Sequence, residues 1–141
     1  MKQMKSIFVA LTCLLVSVSC GVDKVIPVEQ LPAVVNTFMQ TNFPGKKIIY
    51  AEKDGRSFEC RLDEGTKVDF NKLGEWTKVD CHATSVPEAI VPAAIKTYVK
   101  SNFPNALITQ IEKVRRGYDV ELSNKLDLTF SPEGALLKMD D

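Results

Sequence analysis

Apolar residues recur along this chain in two different periods, and the same succession of periods occurs twice. Leu31, Val34, Val35, Phe38 and Met39 stand at i, i+3, i+4, i+7 and i+8. That is the stripe of an α-helix buried along one side. Val91, Ala94, Ile95, Tyr98 and Val99 repeat it. Pro32 and Pro92 suit the first helical turn, where a missing N–H costs nothing. Pro44 and Pro104 end both helices, because the residue before a proline is pushed out of helical geometry. After each helix the period becomes two. Phe58, Cys60 and Leu62 alternate with Ser57, Glu59, Arg61 and Asp63, and Tyr118, Val120 and Leu122 alternate with Gly117, Asp119, Glu121 and Ser123. One apolar face at period two means a half-buried antiparallel strand. Turn signals at Asp54-Gly55, Glu64-Gly65, Leu73-Gly74, Ser123-Asn124 and Glu133-Gly134 separate the strands. The predicted strands lie near residues 46–53, 56–63, 66–71 and 74–80, and again near 106–113, 116–123, 125–131 and 134–140.

The two halves are copies of one unit. Residues 31–80 and 91–140 align at an offset of 60 without a gap. Asn42-Phe43-Pro44 matches Asn102-Phe103-Pro104, and Phe70, Gly74, Lys78 and Asp80 match Phe130, Gly134, Lys138 and Asp140. A copy this short would bury little on its own. The expected fold is therefore α+β: two tandem repeats, each a helix plus a four-stranded antiparallel meander, forming a roughly eight-stranded sheet with the helices packed on one face. Repeat one is placed at 27–80 and repeat two at 85–141. Residues 27–30 and 85–90 read as separate turns before each helix, and Ser85 with Glu88 has the spacing of a capping box. Residues 21–26 read as a tether.

The start of the chain follows a different rule. Lys2 and Lys5 precede an apolar run from Ile7 to Val18. The run is shorter than the roughly 20 residues of a membrane span, and it has the basic-then-apolar pattern of a secretory signal. It ends in small residues before Cys20, with Ser17 where Leu is usual, which resembles a bacterial lipoprotein box. The expectation is a signal peptide over 1–19, a lipidated Cys20, and residence in the periplasm or at the outer membrane or cell surface. Removing Lys2 and Lys5 changes a balanced 18 basic and 18 acidic residues to 16 and 18. Composition is that of an ordinary globular protein, 45% hydrophobic and 26% charged. No basic stripe points to nucleic acid.

Catalytic chemistry finds no foothold in the sequence. His82 is the one histidine and lies between the copies. No nucleophile or phosphate-binding motif is present. Glu52 and Glu112, like Asp80 and Asp140, recur at matching strand positions and read as a solvated sheet face. Cys60 aligns with Val120 on an apolar face and reads as a buried thiol. A disulfide from Cys60 to Cys81 would have to span strands roughly 10 Å apart, against the 7 Å or so between α-carbons that a bridge allows. No cofactor or metal site is expected, since Cys60, Cys81 and His82 lack ligand spacing.

The difference between the copies is more informative. Trp76 matches Leu136 and Tyr50 matches Gln110. Trp76 has the opposite strand parity to Val79 and Met139, which places it on the open face of the sheet. Trp76, Tyr50 and Arg61 are the candidate protein-binding residues, being types that dominate interface hot spots.

The leader and the signature Leu31-Pro32, Phe38, Asn42-Phe43-Pro44, Phe70, Gly74, Trp76 and Val79-Asp80 together resemble the PepSY-like, beta-lactamase-inhibitor-like family of exported bacterial proteins. The resemblance covers nearly all of the mature chain. Leu136 and Pro132 depart from the pattern, standing where copy one has Trp76 and Lys72. The resemblance implies a tandem-repeat fold like that of beta-lactamase inhibitor protein, whose concave sheet grips an enzyme. A shared fold carries no partner with it. The expected function is that of a non-enzymatic binding protein that holds a protein or peptide of the cell envelope, as an inhibitor or modulator of a hydrolase. The alternative is a small-ligand sensor or carrier with its site between the repeats.

Overall fold

The computed structural model describes residues 23–141. The expected signal peptide, Cys20 and the start of the expected tether lie outside the described residues. Strand β1 (Lys24–Val25) leads through a short 3-10 turn (Val28–Gln30) into helix α1 (Ala33–Asn42). Four strands follow: β2 (Ile48–Asp54), β3 (Ser57–Leu62), β4 (Lys67–Phe70) and β5 (Trp76–Asp80). Helix α2 (Ala93–Asn102) opens the second copy, which continues with β6 (Ile108–Val114), β7 (Gly117–Leu122), β8 (Asp127–Phe130) and β9 (Leu136–Asp140). The nine strands form one antiparallel sheet in sequence order.

The expected tether is partly structured. Lys24 and Val25 pair with Lys53 and Glu52, and Ile26 is buried. The sheet of the described residues thus has nine strands where roughly eight were expected. The two copies join through β5 and β6, where Val79 lies opposite Ile111. Both residues are fully buried.

Val35, Met39, Ile95 and Val99 of the helices pack with Ala51, Cys60, Val68, Phe70, Val79, Ile111, Val120 and Phe130 of the sheet in one core. Phe38 meets Phe70 edge-on at 5.4 Å between ring centroids, and Tyr98 meets Phe130 in the same way at 5.5 Å. Each repeat therefore clamps its helix to its third strand with an aromatic pair, a geometry that adds to area burial. Val34, expected on the buried stripe, is half-exposed.

Local details differ from the expectations in three places. Pro32 and Pro92 sit at the N-cap, with ψ near 143° and 140°, so each helix begins one residue later. Ser85 caps nothing: its hydroxyl donates to the Val86 carbonyl, while Glu88 pairs with Lys100. Met139 is 48% exposed although its twin Val79 is buried. The reason is position, since Val79 is covered by the second copy and Met139 stands on the edge strand.

Gly74 and Gly134 hold the last turn of each copy against its helix. Both have positive φ, 78° and 89°. A Cβ on Gly74 would collide with Val34 Cγ1, and one on Gly134 with Ala94 Cβ. Gly74→Ala combines left-handed strain with overpacking and is expected to destabilise by about 2–4 kcal/mol. Gly134→Ala is expected to behave alike. Denaturant unfolding of both variants checks this, and a loss confined to one copy would contradict the equivalence of the two turns.

Candidate functional site

Two faces of the sheet meet different environments. One is covered by α1 and α2. Along the other, the registers bring hydrophilic residues into straight rows that cross every strand from β2 to β9. The central row reads Glu52, Glu59, Asp69 and Lys78 in the first copy, continuing with Glu112, Asp119, Thr129 and Lys138 in the second. A parallel row begins Tyr50, Arg61, Lys67 and Asp80 and continues Gln110, Glu121, Asp127 and Asp140. With Asp54, this face carries ten carboxylates against four cations. None of these residues is buried.

Like charges stand directly opposite one another at Glu52/Glu59, Glu59/Asp69 and Glu112/Asp119. Directly opposed like charges destabilise a sheet. Part of the charge is answered locally. Glu59 takes Arg61 Nε at 2.7 Å and Lys67 Nζ at 3.0 Å. Burial opposes ionisation of Glu59, but the hydrogen bonds from Lys67 and Arg61 outweigh it and hold its pKa below the usual carboxylate range. The Arg61 guanidinium lies 4.7 Å from the centre of the Tyr50 ring, and the Tyr50 hydroxyl donates to Glu52. That hydrogen bond, more than burial, raises the Tyr50 pKa.

Asp69 is left out of this network. Its Oδ1 is buried and accepts no hydrogen bond. Burial raises the Asp69 pKa, against the opposing pull of Lys67. In the second copy the same position is Thr129, whose hydroxyl donates to Asp119 at 2.9 Å. The repeat thus offers a satisfied alternative at a position where copy one keeps an unanswered carboxylate.

Of the three binding candidates, the structure brings Tyr50 and Arg61 together on the open face and removes Trp76 from it. The register between β4 and β5 shifts after Asp69, so Trp76 lies opposite Phe70. The extra residue, Thr77, is a β-bulge that reverses strand parity. Trp76 is half-buried against the core on the helix side, with Lys113 Nζ 4.2 Å from its ring centre. Its placement on the open face, inferred from uninterrupted alternation, is corrected by that bulge.

Cys60 and Cys81 are both buried and free. Burial pushes their thiols up to about 12 and about 11, which keeps them protonated at neutral pH. His82 is exposed, with Nδ1 3.4 Å from Asp80. Among the described residues, no three His, Cys, Asp or Glu side chains converge closely enough to hold a metal ion. Among the described residues, the principal surface hollows are each lined by one copy alone. The acidic face itself was missed in the sequence. The recurring pairs Glu52/Glu112 and Asp80/Asp140, read as a solvated sheet face, were its visible trace.

A family model described as "Putative beta-lactamase-inhibitor-like, PepSY-like" matches residues 17–65 and 56–138. Among solved structures, a "putative calcium-regulated periplasmic protein" of Bacteroides thetaiotaomicron is 39% identical, with a TM-score of 0.80 over 84% of this chain and 97% of its own. Two Bacteroides vulgatus proteins, each described as a "putative periplasmic protein", are similar at 37% and 34% identity. Their TM-scores are 0.80 and 0.79, over 84% of this chain and 97% and 99% of their own. No curated protein matches the chain.

The isolation of Asp69 has a measurable consequence. Its folded-state pKa lies above the unfolded value, so the ionised form weighs against folding at neutral pH and the burden vanishes as the acid protonates. Asp69→Asn is expected to raise the thermal midpoint at neutral pH by a few degrees, the scale of a sub-kcal/mol gain in a domain of this size. The advantage should shrink as pH falls into the carboxylate range. Calorimetry across that range checks both the sign and the trend.

Proposed function

The chain belongs to the PepSY-like, beta-lactamase-inhibitor-like family, and from that premise we propose that it is an exported, non-enzymatic binding protein that holds a protein or peptide against the open face of its sheet. The observation that carries this reading is the face itself. It is broad, solvent-facing and in straight register, and it keeps like charges opposed at a cost in stability. Such costs are tolerated where a surface has a task other than folding. Export is supported by the basic-then-apolar leader and by relatives described as periplasmic. In the finer reading, the protein is lipid-anchored through Cys20 and modulates a hydrolase.

Calcium is not part of this proposal. The Bacteroides thetaiotaomicron relative is described as calcium-regulated. A calcium site gathers six to eight oxygens around one point. The carboxylates of this face are strung along rows, and among the described residues no three metal-ligating side chains converge.

A photo-crosslinking residue tests the surface. Placed at Lys78, in the middle of the open face, it is expected to give partner adducts in the native envelope. Placed at Thr97, on the exposed side of α2, it is expected to give none. Equal adducts from both positions would remove the open face as the site. Lipidation is checked separately: labelled fatty acid should appear on the wild type and be lost in Cys20→Ser, and labelling of both would refute the anchor.

A further inference from the structure

The two copies share a backbone but carry grooves of opposite charge at equivalent places on the open face. In copy one a groove of about 320 Å³ is lined by Asp23, Glu52, Asp54, Glu59 and Asp69, with no lysine or arginine among its lining residues. Its twin in copy two, about 450 Å³, is lined by Arg115, Arg116 and Lys138 around the single carboxylate of Asp119. Arg116 and Lys138 keep the charge of their copy-one twins Arg56 and Lys78, so the difference in charge comes from three exchanges at aligned positions. Asp54 becomes Val114, Gly55 becomes Arg115, and Asp69 becomes Thr129. Because the neutral or basic alternative folds in copy two, the fold does not require the acids of copy one.

Resting on the binding function argued above, we propose that the copy-one groove is the part of the open face that engages the partner, and that its occupant is a lysine- or arginine-rich segment of a protein. Three observations support that chemistry. Every charged residue in the groove's lining is a carboxylate, set among Ser57, Phe58, Phe70 and Thr77, so complementarity selects cations and rejects acidic segments. Asp69 Oδ1 is buried beside it without a donor, and a lysine ammonium or arginine guanidinium supplies N–H donors and no acceptor. Glu52, Glu59 and Asp69 stand opposed in the free protein; Arg61 and Lys67 already answer Glu59, and a bound cation relieves the repulsion that remains at Asp69. The twin groove, whose charged lining is three cations and one carboxylate, repels the same segment and fixes which copy is used.

The experiment titrates the mature protein with a fluorescent oligolysine peptide, using an oligoglutamate peptide of equal length as control. Oligolysine is expected to bind and oligoglutamate not. Asp54→Asn with Asp69→Asn is expected to weaken binding by about tenfold, near 1.4 kcal/mol. That pair should remain folded, because the second change removes a burden on folding. Glu64→Gln with Glu133→Gln removes the same charge from turns outside the groove and is expected to leave affinity within about twofold, under 0.5 kcal/mol. Equal weakening by the two pairs would reduce the effect to net charge and overturn the assignment. So would full displacement of the peptide by calcium at an ionic strength where sodium displaces none, since the groove would then be a cation site. Open-face crosslinks without oligolysine binding would sink the basic-segment assignment alone and leave the binding function standing.

Discussion

Everything in this molecule depends on the pairing of β5 with β6. A single copy has one apolar sheet face and one short helix to cover it, and a unit of that size buries too little to be secure. Setting Val79 opposite Ile111 continues the ladder from one copy into the next. It buries both residues and turns two marginal units into one sheet with a continuous core. The same junction decides what lies on the other side. Because the register is unbroken there, the open-face row of copy one runs straight into that of copy two, through Lys78 and Glu112.

The open face therefore inherits its geometry from the core. Strand alternation that places Cys60, Val68 and Val79 inward places Glu59, Asp69 and Lys78 outward, and a slip of one residue would exchange the two sets. Duplication gives each copy the same scaffold, and substitution has then given each a different charge. Thr129 hydrogen-bonds Asp119 where Asp69 faces Glu59 with a buried, unpartnered oxygen. That contrast separates the demands of folding from those of function more sharply than either copy could alone.

Most of the architecture was legible in the sequence. Helical spacing located both helices, and period two with glycine turns located eight strands to within about two residues. The burial of Cys60 followed from its parity. What was illegible depends on long-range pairing. Two residues of β1 carry no periodicity, and they become a strand only because β2 offers an edge. Trp76 was assigned to the wrong face because a bulge at Thr77 is invisible to uninterrupted alternation. Met139 looks like Val79 until the sheet is seen to end beside it. Tyr50 and Arg61 were singled out one by one, and their stacking emerged from the β2–β3 register. The acidic groove combines residues from four strands and the segment before β1, so its charge exists only in the folded molecule.

The central claim is that one half of the open face is the working surface. The most direct measurement is an amide chemical-shift map of the mature protein during titration with oligolysine. The account predicts shifts concentrated on β2, β3 and β4 around Glu59 and Asp69, with β7, β8 and the helices unmoved. Shifts spread evenly over both copies, or centred on the helix side near Trp76, would contradict it.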